Sequence, residues 1–189
     1  MPETPEEFWE RVRGDLHVPP LEEWDTWPFD GSVRPRTLEP PVEREKPRRG
    51  EGGVDCHACV APDGAYIWTN ERWRLRALDK PSGLPVVVLL EPREHFSAPG
   101  DLPEELAAEL GVLIGRVERA VRSVAGVGLV HALRYGEGSE HLHIWFMGRP
   151  ARMEQLRSSF AEIWDDVLPP MPDELWRANL DLVVAALGS

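Results

Sequence analysis

Leucine and valine recur every three or four residues through the middle of the chain: Leu106, Leu110, Leu113, Val117, Val121 and Val124. That period lays them along one face of an α-helix. Asp101 and Glu104 form a start like a capping box, and Ala125-Gly-Val-Gly128 supplies the stop, with Gly126 suited to a left-handed cap. On either side the period falls to two. Ala65–Trp68, Trp73–Ala77, Leu84–Leu90, Leu129–Tyr135 and His141–Met147 therefore read as strands. Trp73, Leu75 and Ala77 alternate with Arg74 and Arg76, which predicts one wet face. Turns at 69–72 and 79–83 separate the first three strands, and Gly136-Glu-Gly138 reads as a hairpin-like turn between the last two.

The ends differ from this core. At the start, Thr4 can cap a helix with Pro5 at its first position and Glu6 and Glu7 at the positive end of its dipole. Phe8, Trp9, Val12 and Leu16 give it an apolar stripe, and Trp24, Trp27 and Phe29 make the head too apolar for a free tail. From Asp30 to Val54 the chain turns to Pro, Arg, Glu and Gly, the composition of an extended connector. Arg44, Lys46, Arg48 and Arg49 within it read as a solvated mixed-charge linker, or as a phosphate clamp across a site. Beyond Pro150, Ala151–Val167 reads as a helix with Met153, Leu156, Phe160, Ile163 and Trp164 on one side. Pro169-Pro-Met-Pro172 interrupts it, and Asp173 opens a last helix through Leu187. The expected organisation is an N-terminal extension over 1–54, a core over 55–150 and C-terminal helices over 151–189. Its class is α+β: an antiparallel sheet with one long helix packed on one face.

Composition narrows the function classes. A net charge of −12 over 189 residues argues against broad nucleic-acid binding, which needs a basic surface. No apolar run approaches membrane-spanning length, and Val86–Leu90 is strand-sized, which argues against a membrane span. Met-Pro-Glu-Thr-Pro-Glu-Glu lacks the basic and apolar regions of a signal peptide. With two cysteines at metal-ligand spacing, the expectation is a cytoplasmic protein.

Those cysteines lie in Cys56-His-Ala-Cys59. Alone, the pair is open to three readings: reduced thiols, a redox couple, or half of a metal site. His95 and His141 downstream complete a two-sulfur, two-nitrogen set of the kind zinc takes. Around His141 the chain reads Ser139-Glu-His-Leu-His-Ile-Trp-Phe. Strand alternation turns His141, His143 and Trp145 to one face and Leu142, Ile144 and Phe146 to the other, the buried one. His131 could join the first face or be a satisfied sheet histidine. His57 reads as outward and His17 as surface.

The order CxxC, Pro92-Arg-Glu-His95, long helix, His-apolar-His-apolar resembles the histidine-triad superfamily over about Cys56 to Pro150. It is also similar to the galactose-1-phosphate uridylyltransferases. The resemblance implies a structural zinc on Cys56, Cys59, His95 and His141. It implies too that His143 is the nucleophile that takes up a nucleotidyl group, and that two copies pair as a homodimer. The third motif position, His in the hydrolases and Gln in the uridylyltransferases, is Trp145 here. An indole donates one hydrogen bond and transfers no proton. Ser139, Arg134, Tyr135 and Trp145 flank the motif closely enough to bind a substrate, and Glu140 would repel a phosphate unless it turns away or pairs with Arg134. Two functions follow. One is a phosphoryl or nucleotidyl hydrolase or transferase working through His143. The other is a ligand-binding protein, or a repurposed small-molecule enzyme, whose site Trp145 has reshaped.

Overall fold

A computed structural model describes residues 4–14, 27, 29, 31, 33–34, 37 and 39–188. Leu16, His17 and Trp24, assigned above to the head, lie outside them. Among the described residues, an antiparallel sheet of five strands runs in the order β1-β2-β3-β5-β4. The strands are β1 (Trp68–Thr69), β2 (Trp73–Ala77), β3 (Val86–Pro92), β4 (Val127–Leu133) and β5 (Ile144–Pro150). The helices are α1 (Pro5–Val12), α2 (His57–Val60), α3 (Glu104–Arg122), α4 (Ala161–Val167) and α5 (Asp173–Leu187). This is the expected α+β arrangement.

The two faces of the sheet have different fates. Trp73 and Leu75 of β2, Val86, Val88 and Leu90 of β3, and Ile144 and Phe146 of β5 point one way. They meet the leucine and valine stripe of α3 together with Leu180, Val183 and Leu187 of α5. Burying apolar surface stabilises by roughly 25 cal/mol per Å², so this layer holds the domain together. On the opposite face the β2–β3–β5 register sets Arg76 beside Leu89 and Leu89 beside Trp145. A smaller cluster of Leu84, Val87 and Met147, joined by Leu133, Trp145 and Leu168, covers one end of that face. The other end stays open.

Several boundaries depart from expectation. Arg74 is not wet: it is only 3% exposed, under the loop that carries the cysteines. The segment expected as strand 65–68 is a 3-10 turn, Asp63–Ala65, followed by the two-residue β1. Asp101 caps the 3-10 turn Pro99–Asp101, accepting from the Ala98 N–H at 2.9 Å, and α3 starts after Pro103. A proline disfavours helical geometry in the residue before it, so the capping signal and the helix separate. The 136–138 stretch is not a tight hairpin, since β4 ends at Leu133 and β5 begins at Ile144. His141–His143 instead runs extended ahead of β5, where the Leu142 N–H donates to the Phe96 carbonyl at 2.7 Å. The expected 151–167 helix breaks into 3-10 turns at Glu154–Leu156 and Ser158–Phe160 before α4, with Ser158 at φ 66°.

The expected capped helix opens the chain. Thr4 and Glu7 cap α1 reciprocally. Trp27 packs edge-on against Phe29 and against Phe160, at 5.3 and 5.2 Å between ring centroids. No helix among the described residues is long and apolar enough to cross a membrane.

Phe146 is fully buried in the central layer. Phe146→Ala should cost about 3–5 kcal/mol in urea unfolding, whereas Leu182→Ala, on the exposed side of α5, should stay within about 0.5 kcal/mol.

Candidate metal centre and active site

Three stretches of chain converge at the open end of the sheet: the α2 turn, the segment after β3 and the segment before β5. Arg74 holds the first in place. Its guanidinium donates to the Ala58 carbonyl at 2.5 Å and to that of Ala61 at 3.2 Å, satisfying acceptors that the short α2 leaves open. It stacks over Tyr66 at 4.3 Å and faces Glu91 at 3.9 Å, while the Tyr66 hydroxyl donates to Glu91 Oε1 at 2.6 Å. A buried arginine and a buried carboxylate thus share a platform under the cysteines, and each keeps polar partners, as buried charge requires.

On that platform Cys56, Cys59, His95 and His141 bring one ligand atom each to within 4.8 Å of all the others. Sulfur-to-nitrogen distances are 3.4 Å for Cys56 Sγ to His141 Nδ1, 3.5 Å for Cys59 Sγ to His95 Nδ1 and 3.6 Å for Cys59 Sγ to His141 Nδ1. Ligands about 2.0–2.3 Å from one tetrahedral ion lie roughly 3.3–3.8 Å from one another. The quartet has those dimensions, and it could hold a metal ion.

The outer nitrogens support the same reading. His141 Nε2 lies 2.9 Å from the Pro92 carbonyl and His95 Nε2 lies 3.1 Å from Glu140 Oε2. A carbonyl and a carboxylate only accept, so each Nε2 carries the proton and each Nδ1 presents a lone pair inward. Burial, ahead of any charge, pushes the His141 pKa below its usual value and keeps the ring neutral, as a ligand must be. Without a cation the thiolate form of Cys59 is disfavoured. Burial first, then Cys56 as hydrogen-bond partner and as charge, pushes Cys59 up to about 11. A divalent ion reverses that logic by stabilising both thiolates.

His143 is fixed through the same extended segment. Its Nδ1 lies 2.8 Å from the His141 carbonyl, so Nδ1 carries the proton and Nε2 is left with a free lone pair. The ring borders a cavity of about 700 Å³. Ser139, Tyr135 and Trp145 also line it, as do Arg49, His57, Arg76, Asp79 and Glu91. Trp145 meets His143 edge-on at 6.1 Å, and its indole N–H is buried without a hydrogen-bond partner. Arg134 is elsewhere: it donates to the Ser97 carbonyl at 2.6 Å and does not border the cavity. Glu140 pairs not with Arg134 but with Arg48, at 2.7 Å, and takes the Gly52 N–H at 2.6 Å. His95 first, then that Gly52 N–H, holds the Glu140 carboxyl below the usual range. His131 is half-buried on β4 with no partner for Nε2, and burial lowers its pKa.

Arg76 and Asp79 escaped the sequence reading. Alternation alone puts Arg76 opposite Trp73 and Leu75, but only the β2–β3–β5 register brings it beside Leu89 and Trp145.

No protein-family model matches the chain, and no curated protein matches it in sequence. Solved structures do match it in shape. A hypothetical histidine triad nucleotide-binding protein from Sulfolobus tokodaii superposes with a TM-score of 0.53 at 15% identity, covering 70% of this chain and 91% of that one. A Zn-bound histidine triad family protein from Mycobacterium smegmatis gives 0.54 at 19% identity, covering 71% and 94%. A histidine triad protein from Sinorhizobium meliloti gives 0.53 at 15%, covering 64% and 87%. The fold is that of the histidine-triad proteins. At these identities the likeness extends to the fold and no further, so the chemistry must be argued from the residues of this histidine-triad-like chain.

The purified protein should carry about one zinc per chain by elemental analysis, and Cys56→Ser should reduce this to roughly a tenth or less. Free zinc at about a hundred times its Kd should stabilise the wild type by about 2.7 kcal/mol over the zinc-free protein.

Proposed function

We propose that this protein is a phosphoryl or nucleotidyl hydrolase or transferase acting on a nucleotide or sugar-nucleotide-like substrate, with His143 as nucleophile. The observation that carries the reading is the bare Nε2 of His143 at the edge of the cavity, its tautomer set by the His141 carbonyl. The shared fold is consistent with it, one relative in shape being described as nucleotide-binding.

In the first step Nε2 attacks phosphorus, a P–N bond forms, and the bond to the leaving oxygen breaks with its electron pair. Nδ1–H keeps its bond to the His141 carbonyl, which stabilises the ring as positive charge develops. In the second step water or another acceptor attacks phosphorus, and the P–N electrons return to Nε2. Arg49 and Arg76 on the cavity wall offer guanidinium donors to phosphate oxygens. A zinc ion on the four ligands would serve structure alone, anchoring the extended segment that carries His143.

Trp145 bears on the choice of leaving group. Having no proton to transfer, it favours a group that departs without general-acid help, such as a pyrophosphate-like anion, over an alcohol. Tyr135 is a poor substitute as acid, since hydrogen bonding to Glu162, ahead of burial, pushes its hydroxyl up to about 12. The same residue favours a second reading. An indole that also packs with Leu133 and Leu168 narrows the cavity, which suits a protein that binds the ligand without turning it over.

Incubation with nucleotides labelled at the α-phosphate should leave acid-labile label on the protein, and His143→Ala should remove it. Turnover should fall by at least about a thousandfold in that variant, the scale expected when a nucleophile is lost. Ligand-induced thermal stabilisation with no label and no turnover, unchanged in His143→Ala, would establish the binding reading instead.

A further inference from the structure

The mixed-charge connector does not float free of the site. Over residues 48–53 it is tied to the 136–140 stretch, and two of the ties end on one buried side chain. Glu140, only 7% exposed, takes Arg48 Nη2 on Oε1 at 2.7 Å and the Gly52 N–H on Oε2 at 2.6 Å. The Glu140 N–H donates to the Arg49 carbonyl at 3.0 Å, and Arg49 bridges Ser139 in a short parallel pairing. Gly50 comes so close that a Cβ there would lie 3.1 Å from that of Cys56, at a φ of +73° that side chains resist. Arg49, Gly50 and Asp55 of this segment form part of the cavity wall.

Glu140 Oε2 also meets His95 Nε2, at 3.1 Å, and the Ser97 side chain is a further hydrogen-bond partner of the carboxylate. An ion held on His95 Nδ1 would lock the ring and keep its Nε2–H on Glu140. With no ion, Nδ1 has only the Cys59 sulfur at 3.5 Å to hold it, so the ring can turn and withdraw its donor from the carboxylate. A buried carboxylate that loses a donor is expensive to keep in place.

We propose that Glu140 is a positioning residue that couples the metal centre to the 48–55 segment, so that metal loading holds the outer wall of the cavity closed. The proposal rests on the four-residue cluster binding metal, and not on the identity of the reaction. Coupling of this kind is reciprocal: whatever the ion does for the segment, the segment does for the ion. Arg48 touches none of the four candidate ligands, so its effect on metal affinity isolates the coupling from coordination itself.

The test uses the full chain, zinc-loaded and chelator-stripped, with zinc affinity read by competition against a chromophoric chelator and segment closure by trypsin cleavage after Arg48 and Arg49. Stripping zinc should speed that cleavage about tenfold, as a coupling near 1.4 kcal/mol requires. Glu140→Ala should weaken zinc by about tenfold or more, the scale set by groups that orient a metal-bound histidine, and leave cleavage fast in both states. Arg48→Ala should also weaken zinc, and the double variant should lose no more than Glu140→Ala alone. Glu140→Gln, which keeps the shape, should fall between wild type and Ala. Zinc affinity within about twofold of wild type in Arg48→Ala, or cleavage indifferent to zinc, would overturn the coupling while the metal site stood. A wild type that takes up no zinc would overturn both.

Discussion

The imidazole of His141 has two nitrogens, and both are committed. One faces the sulfurs of Cys56 and Cys59; the other donates to the carbonyl of Pro92 at the end of β3. A ring held at both ends cannot rotate, so the backbone that carries it is fixed as well. That backbone offers its own carbonyl to His143 Nδ1 and decides which nitrogen of the neighbouring ring is left free. The sulfurs of a turn near residue 58 thereby set the tautomer of a side chain more than eighty positions away. Remove the grip on His141 and His143 can exchange tautomers, turn, or hydrogen-bond elsewhere.

The polar face of the sheet makes this possible. Arg74, Glu91 and Tyr66 lie where an ordinary sheet would carry a second apolar layer, and they hold up the α2 turn from beneath. Each of these groups is desolvated, which is tolerable because each is paired. Glu140 performs the matching task from above, tying the connector to His95. The apolar face, by contrast, is an ordinary layer of β-branched and aromatic residues against α3, and it supplies the rigidity on which the polar face depends.

How much of this the amino-acid pattern disclosed depends on whether periodicity or pairing decides the feature. The α3 stripe, the burial of Leu142, Ile144 and Phe146, and the shared face of His141, His143 and Trp145 follow from spacing, and the coordinates agree. The cysteine–histidine quartet was legible because zinc accepts few donor types and the chain has two cysteines. What escaped was set by register or by long-range ion pairing. Arg74 looked like surface because alternation says nothing of what lies over a face. Arg134 is the near-neighbour cation that the chain offers Glu140, while its partner is Arg48, far off in a stretch that composition marks as linker. The Ala151–Val167 stretch looked helical from its apolar spacing, but the backbone turns at Ser158 before helix resumes, and side-chain periodicity carries no warning of that.

X-ray absorption at the zinc edge of the loaded protein tests the central constraint most directly, because it reads the atoms around the ion rather than its presence. The account requires two sulfur neighbours at about 2.3 Å and two imidazole nitrogens at about 2.0 Å. A first shell of oxygen and nitrogen only, or one that lacks either imidazole, would mean that His141 is not gripped in the way His143 requires.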